Sequence, residues 1–149
     1  MPEKETLERA HEDAAEGKSP STQAGEFVKE EMDHIREGKH GARSTKQAIA
    51  IGLSKARRAG VPLPPPSDGP SATRKKAAQD YRRGRTGASR RPSAKRARAT
   101  RRALKREGRR AASPKALARQ ARSAARRRSG ASRSASARRG AATRRGRRS

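Results

Sequence analysis

The chain has no cysteine and no tryptophan, and its aromatic side chains are one phenylalanine, Phe27, and one tyrosine, Tyr81. Without thiols it has no disulfide framework, no thiolate metal site and no cysteine nucleophile. Two aromatics do not make a stacking platform for single-stranded bases. Large apolar side chains are equally scarce. Leu, Ile, Val and Phe number 11 among 149 residues, far below the roughly 20% that, with high net charge, marks disorder. Most of the remaining hydrophobic content is alanine, which buries little area, and on this reckoning a packed domain over the whole length is excluded. No apolar run approaches the roughly 20 residues of a membrane span, and Met1-Pro2-Glu3-Lys4-Glu5 lacks the order of a secretory signal. The expectation is a soluble cytoplasmic protein with no membrane insertion.

Acid is also missing, but only from one half. Residues 67–149 hold 30 Lys or Arg against Asp68, Asp80 and Glu107, a net +27 that equals the charge of the entire chain. The first 40 residues carry 6 basic and 11 acidic side chains, and residues 41–66 add five basic ones. So concentrated an excess points to a polyphosphate partner, because each phosphate contact releases condensed counterions. Of the 30 basic residues 25 are arginine, whose planar fork holds phosphate oxygens bidentately and fits narrow minor grooves.

Helix signals are strongest upstream. Residues 3–16 are strong helix formers with a thin stripe of Leu7, Ala10 and Ala14, ended by Gly17 and Ser19-Pro20. Residues 22–37 place Val28, Met32 and Ile35 on one stripe with Phe27 beside it and Gly38 as the stop. Ser44-Thr45-Lys46-Gln47 is a capping box, in which Ser44 and Gln47 each satisfy a free backbone N–H. The helix it opens presents Ile49, Leu53 and Ala56, then closes at Gly60 with Val61 placed for a Schellman contact and Pro62 blocking continuation. A helical hairpin over residues 20–61 results, too small to be stable alone. Its missing burial is expected from a homodimer or protein partner on the face of Phe27, Met32, Ile35, Ile49 and Leu53, or from docking of residues 3–16.

The fold class expected is therefore mostly α: an acidic N-terminal helix (residues 1–18), the hairpin (20–61), a stiff proline-rich linker (62–70) and a low-complexity tail (71–149). The tail is expected to be disordered or conditionally helical. Residues 92–112 and 114–128 have helical composition, but arginine repulsion opposes helix until phosphates screen it. The phosphate contacts expected are the arginine clusters: Arg82, Arg83 and Arg85; Arg90 and Arg91; Arg101 and Arg102; Arg109 and Arg110; Arg126, Arg127 and Arg128; Arg138 and Arg139; and Arg144, Arg145, Arg147 and Arg148. There is no zinc-finger spacing, basic-zipper heptad or Asn/Gln-bearing recognition helix, so the mode expected is backbone binding without sequence preference.

Catalytic signatures are absent: no Gly-x-Ser-x-Gly elbow and no glycine-rich phosphate loop ending in Gly-Lys occurs. No enzyme and no cofactor are expected. Glu30, His34 and Glu37 share a helix face as a metal site could, but read better as an exposed charged face, so no metal is expected either. Ser89, Ser93 and Ser113, each near arginine, read as spacers rather than phosphorylation sites.

The stretch from Glu26-Phe27-Val28 through Ser44-Thr45-Lys46-Gln47-Ala48-Ile49-Ala50-Ile51-Gly52-Leu53-Ser54-Lys55-Ala56-Arg57-Arg58-Ala59-Gly60 resembles a family of small, mostly proteobacterial proteins whose domain has no assigned function. The resemblance implies a bacterial source, a helical unit and coupling to a basic tail. The tail, with Ser113-Pro114-Lys115, is similar in composition to bacterial histone H1-like and protamine-like tails. Together these lead to the expectation of non-specific DNA binding by a nucleoid-associated or histone H1-like protein. The alternatives are RNA or ribosome binding, or an adaptor whose hairpin holds a protein partner.

Overall fold

A computed structural model describes residues 2–87, 92–128 and 130–147. It contains α1 (Lys4–Ala15), α2 (Pro20–Arg36), α3 (Thr45–Arg58), α4 (Ser71–Thr86), α5 (Ala94–Arg106), a short 3-10 turn (Arg110–Ala112), α6 (Pro114–Arg126) and α7 (Gly130–Gly146), with no strand among the described residues. The chain divides into two compact units, Met1–Ser113 and Pro114–Ser149.

Local chemistry explains the boundaries of the first three helices. Ser19 caps α2, its Oγ accepting from Thr22 N–H, with Pro20 in the first turn. Ser44 caps α3 by accepting from Gln47 N–H at 3.1 Å. The return arm of the expected box is shifted by one residue: Gln47 Oε1 accepts at 2.7 Å from Arg43 N–H, which precedes the cap. All three helices end in Schellman motifs. Lys18 N–H reaches the Asp13 carbonyl at 2.9 Å, Lys39 N–H that of His34 at 3.0 Å, and Val61 N–H that of Ala56 at 3.1 Å. Gly17, Gly38 and Gly60 make those turns at φ of +73°, +78° and +102°, where a side chain would be strained.

The core of the first unit is built from small residues at close range. Ala10, Ala24, Phe27, Ala56 and Val61 form its buried cluster, with Leu7, Leu53 and Leu63 packed against it. Helices α2 and α3 approach so closely that a Cβ on Gly52 would lie 2.7 Å from Val28 Cα. Alanine and glycine thus provide burial through backbone proximity, and 11 large aliphatic and phenylalanine side chains suffice where area per side chain argued otherwise.

Three expectations are corrected here. The basic half is not disordered: α4 to α7 run through its described residues. An alanine background holds a helix without large side chains, and the composition rule behind the expectation measures burial, not propensity. Next, the proline-rich segment is not a free spacer. Val61 is buried, and the Arg57 guanidinium donates to the carbonyls of Leu63 (3.1 Å) and Pro64 (3.2 Å), laying the segment along the end of α3. Finally, residues 71–113 pack within the first unit rather than in a separate tail. Asp80 on α4, only 1% exposed, accepts from Ser54 Oγ at 2.6 Å and Lys76 Nζ at 2.7 Å. Farther on, Leu104 and Gly108 offer their carbonyls to the N–H groups of Gly41 and Ala42, and Ala111 accepts from Thr45 Oγ1 at 2.7 Å.

Candidate nucleic-acid interface

The arginines are arranged by helix, and each helix arranges them differently. On α4, Arg82 and Arg85 are exposed and Arg83 is half-buried, because the opposite face carries Ala77 and Asp80 into α3. The Arg85 guanidinium lies 5.8 Å from the Tyr81 ring centroid, a cation–π distance that steadies it without neutralising it. On α5, exposed Lys95, Arg98, Arg102 and Lys105 follow i, i+3, i+7, i+10 spacing, flanked by Arg101 and Arg106. The 3-10 turn presents Arg110, and Arg109 donates to the Arg36 carbonyl at 3.4 Å.

Helix α6, in the second unit, has the cleanest stripe. Lys115, Arg119, Arg122 and Arg126 are exposed at i, i+4, i+7, i+11, while Leu117, Gln120 and Ala124 opposite them are half-buried. Beyond it, Arg127 and Arg128 donate to Ser123 Oγ and Ser136 Oγ, each at 3.1 Å. Helix α7 shows no such face: Arg133, Arg138, Arg139, Arg144 and Arg145 are exposed around its circumference, as is Arg147 just past its end. Residues 114–149 contain no Asp or Glu, so no carboxylate of this unit neutralises them. Arg90, Arg91 and Arg148 lie outside the described residues, as does Ser89.

The expected protein-binding face is mostly interior. Phe27, Met32 and Ile35 are 1%, 4% and 0% exposed. Ile49 and Leu53 are half-buried, Leu53 against the core cluster. Docking of α1 covers part of the hairpin, with Ala10 in the core cluster and Leu7 packed against it.

Sequence reasoning missed a buried acidic network on α2. Glu30 and Glu31 are 5% and 0% exposed, so the face read as solvated is interior, and only Glu37 lies outside. Lys55 from α3 pairs with Glu31 and lies 3.8 Å from Glu30. His40 Nε2 is 3.1 Å from Glu31 Oε2, and His34 Nε2 is 2.9 Å from Glu3 Oε1. Hydrogen bonds to His34 and Lys39 hold the Glu3 carboxyl below the usual carboxylate range. The sequence signal available was the interruption of the apolar stripe by two adjacent glutamates, with no sign of which partners would reach them.

Among known proteins, the model of a family of unknown function (DUF6496) matches residues 19–66. This span covers α2, α3 and the proline-rich segment laid against them. No curated protein and no solved structure matches the chain. No helix among the described residues is long and apolar enough to cross a membrane.

Proposed function

We propose that the chain binds nucleic acid through its phosphates without sequence preference, duplex DNA foremost, in the manner of a nucleoid-associated protein. The observation that carries this reading is the α6 stripe. Lys115, Arg119, Arg122 and Arg126 share one exposed face in a unit that holds 13 Lys and Arg and no Asp or Glu in its sequence. At a rise of about 1.5 Å per residue, successive charges on that face stand about 5.5 Å apart. The same residues in an extended chain would spread over more than twice that length, so the helix concentrates charge toward the density of a duplex.

A face already helical before contact also lowers the ordering cost that a disordered arm bears on binding. The α5 stripe offers a similar row. The first unit neutralises part of its own charge through pairs such as Lys18 with Asp13 and Lys55 with Glu31; the second has no acid with which to do so.

Replacing Lys115, Arg119, Arg122 and Arg126 with glutamine in the full chain tests the reading. Duplex affinity at moderate salt should fall at least about 100-fold while circular dichroism stays unchanged, given that each surrendered phosphate contact removes its share of counterion release. Unaltered affinity would refute the assignment.

A further inference from the structure

The geometry points to a divalent-metal site of the zinc class at Glu31, His34 and His40, independent of the basic faces. One ligand atom from each of the three residues lies within 4.8 Å of the other two. The His34 and His40 rings stand nearly perpendicular, at 83°, with centroids 6.0 Å apart. Glu31 and His34 lie one helical turn apart on α2, and the Schellman turn at Gly38 brings His40 back over them.

The hydrogen bonds leave ligand positions open on the two glutamates, whereas His34 Nε2, 2.9 Å from Glu3 Oε1, would exchange that contact for the ion. Glu31 Oε2, on a side chain 1% exposed, and Glu30 Oε1, on one 2% exposed, are buried oxygens that receive no hydrogen bond. Lys55 engages the other oxygen of Glu31, and the Glu3 backbone N–H takes Glu30 Oε2 at 3.1 Å. His40 Nδ1 lies 2.9 Å from the Gly41 carbonyl oxygen. A carbonyl only accepts, so Nδ1 carries the proton, and in neutral imidazole Nε2 then presents a lone pair. That lone pair faces Glu31 Oε2 at 3.1 Å. Two acceptors at this distance need a cation between them or a proton on the ring. An imidazole held through its far nitrogen by a carbonyl is also how metal-binding histidines are commonly oriented.

Two imidazoles and one carboxylate suit Zn²⁺ or Co²⁺, with a fourth position left for water or for Glu30 Oε1. A polar crevice of about 170 Å³ lined by Glu3, Thr6, Glu30 and His34 borders the site on its His34 side. The bound ion would fasten the 38–43 turn to α2. That turn receives residues 104–108, so its rigidity bears on how the basic half docks.

Titration of the metal-free full chain with Zn²⁺, and separately with Co²⁺, tests the site. One equivalent should bind, Co²⁺ should give visible bands of low-coordinate geometry, and the melting temperature should rise by about 10 °C with zinc a hundredfold above its Kd. His34→Gln and His40→Gln should each weaken binding at least about 10-fold. His11→Gln, on the exposed face of α1, should leave it unchanged. If His40→Gln does not fold, His34→Gln and the response of the wild-type protein to a chelator decide the matter. Binding that His34→Gln does not weaken, or a melting temperature indifferent to zinc and chelator, would overturn the assignment in favour of a simple His40–Glu31 ion pair.

Discussion

Ser54 Oγ donates a 2.6 Å hydrogen bond to Asp80 Oδ2 across 26 residues of sequence. The bond fastens the first helix of the basic half to the hairpin. Lys76 shares the same carboxylate, and Arg58 lies 3.9 Å from it. Asp80→Ala should therefore lower stability by about 2 kcal/mol, the scale of hydrogen bonds to a charged group. Urea unfolding measures the loss, and trypsin should gain access to Arg82 and Arg83 in α4. An unchanged midpoint would mean that the anchor contributes nothing.

Gly84 makes the same docking steric. A Cβ there would run into the Arg57 carbonyl oxygen and lie 3.1 Å from Gly60 N. Gly84→Ala is expected to destabilise by about 1–3 kcal/mol through overpacking, despite the better helix propensity of alanine. An exposed control, Gly130→Ala, has open space at its Cβ and should be neutral or mildly stabilising. Equal melting temperatures for the two variants would contradict the close contact.

The hairpin caps were legible because their signals are local. Ser44, Gly60 and Val61 each act within one helical turn, and α3 runs Thr45–Arg58 between them. Ser19-Pro20, read as a terminator of the first helix, also opens the second, so α2 begins earlier than expected. What was not legible depends on distant pairs. Nothing near Asp80 announces Ser54, and nothing beside Glu31 announces Lys55 and His40. The tail was misjudged because scarce large side chains were taken to preclude order, whereas alanine and glycine here allow helices to approach closely, as Gly52 does Val28.

Acid and base should act on different ends of α1. The lowered Glu3 pKa, due first to its hydrogen bond with His34 and then to Lys39, means a stabilisation fully present above the ordinary glutamate range. It is lost as pH falls through the depressed value. The raised Lys18 pKa, due first to Asp13 and then to Glu16, means the reverse: stabilisation is present below the ordinary lysine range and lost as pH rises through the raised value. Unfolding followed against pH should lose part of its acid-side slope in Glu3→Gln and part of its alkaline-side slope in Lys18→Met. Profiles identical to wild type would contradict both assignments.

Because the basic faces are helical in the free chain, far-UV circular dichroism should show high helix content without DNA and little gain on adding it. A large coil-to-helix change on binding would restore the disordered-arm picture. In competition at fixed salt, duplex DNA of unrelated sequences should displace one another equally, since no base-reading side chain is proposed.

The central claim concerns phosphates, and the salt dependence of affinity measures them most directly. If about ten phosphates are neutralised, log affinity for a random duplex should fall against log salt with a slope near −9, and the α6 glutamine variant should be shallower by about 3 to 4. A wild-type slope shallower than about −3, or one that the four substitutions leave unchanged, would contradict it.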